Sequence, residues 1–306
     1  MAGEVGRVAQ VVAGLLLVGL AACGGPAPTP LQSQYQRETE RALRYRARGE
    51  LPRALAAYQE SLRWAEIADD RSGVLTQELN VGGLALALGD WALAERSFQR
   101  AQSMATALSD STGALRARLG LAQVGLRQGR FDEARWAFQQ VVDEARGRDV
   151  AANVVALNGL GLAHRALGQT PAARAALTEA ELLARAQDDR RLLAATLANQ
   201  AALALQAGEV ESAERSLEEA VAMDRAVENL PGLAHDLLLL AQVRQRQGRT
   251  PAAQELSRRA KVILQHTGQY PQPFGADENT AAENVNPGVR LRQAGLKSAK
   301  RDGLSK

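Results

Sequence analysis

Hydrophobic positions in this chain fall into triplets of small, large and small residues, spaced four and then three apart. Ala54, Tyr58 and Ser61 form the first triplet. Then come Ala94, Phe98 and Ala101; Ala134, Phe138 and Val141; Ala173, Leu177 and Ala180; and Ala213, Leu217 and Ala220. A sixth copy keeps Ala253 and Ala260 but has Ser257, beside Leu256, at the large position. Residues at these spacings share one helix face, so each triplet predicts an amphipathic helix with a narrow packed seam. Burial of the large member contributes about 1.5–3 kcal/mol per copy. Five residues before each leading Ala stands a Gly: Gly49, Gly89, Gly129, Gly168, Gly208 and Gly248, at spacings of 40, 40, 39, 40 and 40. Gly supplies the left-handed conformation that ends a helix, so a second helix is predicted upstream of each turn. Its own stripe is seen in Leu157, Leu160 and His164, or in Leu237 and Leu240.

Local chemistry agrees with this division. Pro52, Pro171 and Pro251 lie three residues past their Gly. That is the first turn of the downstream helix, where a missing N–H costs nothing. Asp69-Asp70, Ser109-Asp110-Ser111, Asp149 and Asp188-Asp189 separate successive pairs, and such residues cap helix N-termini. Asn229-Leu230-Pro231 opens the sixth upstream helix by the same logic. A fixed period near 40 residues is the signature of stacked repeats, which form one elongated solenoid rather than two globular domains.

Gly82, Ala122, Gly161, Ala201 and Ala241 each lie seven residues before their turn Gly. With the turn Gly, the Ala five later and the seam that follows, they complete a pattern that resembles tetratricopeptide repeats across residues 31–268. The resemblance implies an all-α, right-handed superhelical solenoid of about six helix-turn-helix units of about 40 residues. Two departures bear on its shape. The family unit is about 34 residues. Leu157, Leu197 and Leu237, or the polar Glu38, Glu78 and Arg118, stand where the family has a large aromatic residue. Superhelical pitch and groove width are therefore expected to differ from the family's.

The same resemblance implies a concave groove, lined by the upstream helices, that holds a protein or peptide. Asn80, Asn158 and Asn199 are candidates to line it. An Asn side chain donates and accepts at once, as an extended peptide backbone requires. The alternative is that these residues brace neighbouring helices. Arg116, Arg127 and Arg165 come from the same helices and suit an acidic segment or a C-terminal carboxylate; the alternative is a solvated guanidinium.

The ends of the chain are a different matter. Val8 to Ala22 is apolar but for Gln10, follows Arg7, and ends Leu20-Ala21-Ala22-Cys23. It is short for a membrane span, which needs about 20 residues, and reads as a targeting segment. Cys23 is the chain's one cysteine, so no internal disulfide forms. The stretch resembles the lipobox of bacterial lipoproteins, which implies cleavage after Ala22 and acylation of Cys23. An ordinary signal with an unrelated Cys and an uncleaved anchor are the alternatives. Anchoring by two or three acyl chains, at about 0.8 kcal/mol per buried methylene, is stable. Gly24 in place of Asp favours the outer membrane, facing the periplasm. Residues 23–30 read as the lipidated Cys and a Pro-Gly tether. Residues 269–306 read as a disordered tail, basic at its end.

Composition narrows the function. The net charge is +3, of which +2 lies beyond Tyr270 and +1 in the repeats, so no basic face for nucleic acid is expected. His164, His235 and His266 have no ligand partners at metal spacing, and no phosphate loop or nucleophile elbow is present. No cofactor, metal or small-molecule substrate is expected. The sequence thus predicts a non-enzymatic, membrane-anchored scaffold for bacterial envelope assembly (outer-membrane protein, pilus or peptidoglycan machinery). A non-catalytic activator subunit of an envelope enzyme is the second reading.

Overall fold

The computed structural model describes residues 29–267. The signal segment, Cys23, most of the tether and the basic tail lie outside the described residues. Twelve helices and no strand are found among the described residues. They are α1 (Pro30–Ala47), α2 (Leu51–Ile67), α3 (Arg71–Leu88), α4 (Trp91–Ala107), α5 (Ser111–Arg127), α6 (Phe131–Ala145), α7 (Val150–Ala166), α8 (Thr170–Ala186), α9 (Arg190–Ala207), α10 (Val210–Ala226), α11 (Leu230–Arg246) and α12 (Thr250–Thr267). Odd-numbered helices precede the turn glycines and even-numbered helices follow them.

All six turn glycines have positive φ, between 72° and 81°, so each ends an odd helix in the left-handed conformation expected of it. Asp70, Asp110, Asp149 and Asp189 cap the next odd helix, each accepting a backbone N–H in its first turn. The chain enters α1 one residue earlier than the seam pattern indicates. Thr29 and Gln32 form a reciprocal capping box around Pro30, and a proline at the first helical position suits that role.

The predicted seam is the core. Ala54, Ala94, Ala134, Ala173 and Ala213 are at most 1 % exposed, and Tyr58, Phe98, Phe138, Leu177 and Leu217 are all buried. Glycines on the odd helices make room for the large residues. A Cβ at Gly82 would lie 2.8 Å from the Phe98 ring, and one at Gly161 2.7 Å from Leu177. Cβ atoms at Gly120 and Gly159 would run into the rings of Phe98 and Phe138 from the next unit. Phe98 is therefore gripped between its own unit's Gly82 and the next unit's Gly120, which couples packing within a unit to stacking between units.

Where the family's large aromatic is replaced by polar residues, ion pairs take over. Glu78 is buried and accepts from Arg100 at 2.9 Å, Arg100 also reaches Glu66 at 2.5 Å, and Arg118 pairs with Glu144. Burial pushes the Glu78 carboxyl up; Ser97 and Arg100 oppose that shift.

Consecutive helices pack in chain order. Odd helices also touch one another directly, α3 on α5, α5 on α7, α7 on α9 and α9 on α11. The odd helices thus form the inner wall and the even helices the outer one. The solenoid curls until its ends meet: a side chain at Gly49 would strike the Thr267 main chain. Leu51 and Leu264, from the first and last units, line one cavity.

Candidate functional site

The curl forms the wall of that cavity, which has a volume of about 1400 Å³ and is open to solvent on one side. The apolar part of its wall includes Leu86 of α3, Leu162 of α7 and Leu239 of α11. Its polar part includes Arg127, Arg165, Asn199, His235, Asp224 and Asp236. These residues come from α5, α7, α9, α10 and α11, so the odd helices from α3 to α11 each present residues to the cavity, joined by α10.

The structure separates the six predicted groove residues. Arg127, Arg165 and Asn199 come together on the cavity wall. Asn80 and Arg116 lie in a second depression of about 330 Å³ between α3 and α5, where Asn80 donates to Gln77 Oε1 at 3.2 Å. Asn158 is buried and does not face the groove. Its Nδ2 donates to Val154 O at 3.1 Å and to Thr196 Oγ1 at 2.8 Å, and its Oδ1 accepts from Asn199 Nδ2 at 3.0 Å. Bracing of α7 against α9 is the role that describes it, because every polar group of its side chain that faces the protein is already committed.

Charge is arranged unevenly around the cavity. Arg127 and Arg165 are crowded by the surrounding helices, and this loss of water lowers both guanidinium pKa values. They stay charged, since a guanidinium does not lose its proton in proteins. The His235 ring is exposed on the cavity wall. Desolvation first, and then the charges of Arg127 and Arg165, lower its pKa below the usual imidazole value. This wall therefore carries two guanidinium charges beside an imidazole whose protonation they oppose.

Asp224 and Asp236 form an acidic seat at the junction of α10 and α11. Each is 2 % exposed. Asp224 Oδ1 accepts from Asn229 Nδ2 at 2.9 Å, while Asp236 Oδ2 has no hydrogen-bond partner. Burial, and then the Asp224 charge, push the Asp236 carboxyl up to about 8. Burial also raises Asp224, against the opposing pull of Asn229 and Arg191. A Cβ at position 232 would collide with both Asp224 and Asn229, so Gly232 is what lets this pair close over the start of α11.

This pair is not among the residues singled out from the sequence, though the repeats carry a signal for it. Sixteen residues after the turn Gly stand Ala65, Ala105, Ala145 and Ala184, and then Asp224. Those four alanines are all 0 % exposed. Twelve residues before the turn Gly, Gln77, Ala117, Ala156 and Thr196 give way to Asp236. The helix cap changes at the same place. Asn229 occupies the position of Asp70, Asp110, Asp149 and Asp189, yet it caps nothing and holds Asp224 instead. Among the described residues, no group of three or more His, Cys, Asp or Glu side chains is placed to hold a metal ion.

Residues 74–147, which span the second and third helix pairs, match the tetratricopeptide repeat family. None of the curated proteins matches the chain. Several solved structures share its fold. The structure of BtubC (BKLC) from P. vanneervenii superposes with a TM-score of 0.54 at 20% identity, over 74% of this chain and 96% of that one. A Rap conjugation gene regulator of the plasmid pLS20, in complex with the Phr* peptide, gives 0.62 at 15% identity over 78% and 75%. PilW, a type IV pilus biogenesis factor, gives 0.51 at 18% identity over 76% and 94%.

Proposed function

We propose that this chain, a solenoid of tetratricopeptide repeats, is a non-catalytic scaffold that holds an extended segment of a partner protein in its central cavity. The cavity itself carries this reading. Its volume of about 1400 Å³ exceeds the roughly 300–1,000 Å³ of a small-molecule pocket. Its wall alternates apolar surface with Arg127, Arg165 and Asn199, which offers both burial and hydrogen bonds to a peptide. Guanidinium groups offer a carboxylate charge-assisted, fork-shaped hydrogen bonding. The Rap regulator of similar fold, in complex with the Phr* peptide, is the precedent for a peptide ligand.

The scaffold is tethered to the bacterial envelope through lipidated Cys23, with the repeats in the periplasm. The support for this is the run Leu20-Ala21-Ala22-Cys23 and the fold shared with PilW. Two experiments test the two halves. A fluorescent library of degenerate dodecapeptides is expected to bind the full chain, and Arg127→Ala with Arg165→Ala to weaken that binding by about tenfold or more; absence of any binding to the unaltered chain would sink the scaffold reading. Metabolic labelling with a palmitate analogue is expected to mark the protein and to fail for Cys23→Ser. Equal labelling of both would refute the anchor.

A further inference from the structure

We infer that Asp224 and Asp236 are the seat for a positively charged group of the bound peptide, a lysine or arginine side chain or its free N-terminus. The inference rests on the reading of the cavity as a peptide site and names the chemistry of its occupant at one point. Packing does not explain Asp224. Alanine fills the position of Asp224 in four other units, at 0 % exposure each time. Two carboxylates buried together, one with an oxygen that no donor reaches, are costly unless a cation completes them. Both residues line the cavity, so what little surface they retain is reached from inside the superhelix.

The surroundings are fitted to the pair. Gly232 leaves space for Asp224, and Asn229 forgoes its capping role to donate to it. An Asp at 229, as in the other units, would add a third negative charge to the seat. The elevated pKa of Asp236 has the same origin: without a cation the pair holds its proton, and an arriving ammonium or guanidinium supplies the missing positive charge. Two carboxylates and one amide are too few ligands for a calcium or magnesium ion, which takes six or more oxygens. The cavity is also far too wide for a lone amine. On the other part of the wall Arg127 and Arg165 suit an acidic group, which makes the site dipolar and gives a bound segment one direction.

The test uses two fluorescent dodecapeptide libraries, degenerate except at two central positions, which are lysine in one and norleucine in the other. Anisotropy titrations with the full chain are expected to favour the lysine library by about tenfold or more. Asp236→Asn, which keeps the shape and removes the charge, is expected to bring that ratio close to one. Asp224→Ala is expected to do the same and to fold without difficulty, because it restores the residue of four other units. The ratio between libraries is insensitive to a general loss of folded protein. Equal binding of both libraries by the unaltered chain, or a lysine preference that survives in both variants, overturns the inference and leaves the peptide site standing. If neither library binds, the scaffold reading falls and takes this inference with it.

Discussion

Asp236→Ala is expected to stabilise the folded chain, and to do so more strongly as pH rises. The carboxyl is 2 % exposed and one of its oxygens has no partner. Removing a buried polar group that lacks a partner gains roughly 1–3 kcal/mol. The small cavity left behind returns about 1 kcal/mol of that, a modest loss at a position where Ala117 and Ala156 already pack at 0 % exposure. The pH dependence follows from the proton. In the unfolded chain Asp236 titrates near 3.9, and in the folded chain near 8. Between those values the folded state holds one proton more than the unfolded state, so stability falls with rising pH by about 1.4 kcal/mol per unit. Below about pH 4 both states are protonated, and above about pH 8 both are ionised, so the slope vanishes outside the window. Asp224, also raised, adds to the loss in the same direction.

From pH 6 to pH 8 this one group therefore costs the unaltered chain on the order of 3 kcal/mol that the Ala variant keeps. For a domain of this size 1 kcal/mol corresponds to roughly 2–4 °C in Tm. Thermal unfolding followed by circular dichroism at half-unit pH steps should show the smallest difference between the two proteins near pH 4. The variant should then lead by about 10 °C or more at pH 8. Parallel Tm curves for the two proteins, or a variant less stable at every pH, would show that Asp236 is compensated by partners and would remove the argument for an acidic seat.

Two comparisons probe the repeats themselves by the same melting assay. Gly159→Val is expected to cost about 1–3 kcal/mol or more, because its side chain enters the space of the fully buried Phe138 ring. Gly83→Ala on α3 has nothing within 4 Å of the new methyl group and is expected to gain about 0.5–1 kcal/mol; a loss there comparable to that at Gly159 would refute the assignment of the two faces. Ser109→Gly is expected to gain about 0.5–1 kcal/mol, since Ser109 holds φ at 56° between α4 and α5, a region that costs an L-residue. Its Tm should rise by a few degrees, and a fall would place a needed side-chain contact at that turn.

The helix pairs were legible because their signals are local. A glycine that needs positive φ, an aspartate that caps three residues on, and a seam spaced four and three all act within one unit. Roles that depend on the next unit were harder to see. Asn158 reads from sequence like Asn80 and Asn199, and Thr196 and Asn199, 38 and 41 residues away, make it a brace. Glu228, Asp69, Ser109 and Asp188 adopt positive φ with no glycine to announce it, because stacking of the next helix fixes those turns whatever residue is present. His235 was read as lacking ligand partners, but its environment comes from Arg127 and Arg165 on helices two and three units away. The curl of the solenoid alone brings them together.

Repetition also supplies a control that single-copy folds lack. In an ordinary core, a buried aspartate can be attributed to some local packing need that no other part of the molecule tests. Here the same niche is built several times over, and Ala65, Ala105, Ala145 and Ala184 fill it completely. Stability therefore gives no reason for Asp224, and the change of Asn229 from cap to partner gives a reason against chance. The departures at 224, 229 and 236 fall in one interface and on one cavity wall. A residue that weakens its own repeat while its neighbours adjust to keep it is retained for what it touches from the cavity side. Under the proposal, the last inter-unit joint, and not the regular middle of the solenoid, is the place where the partner's identity is read.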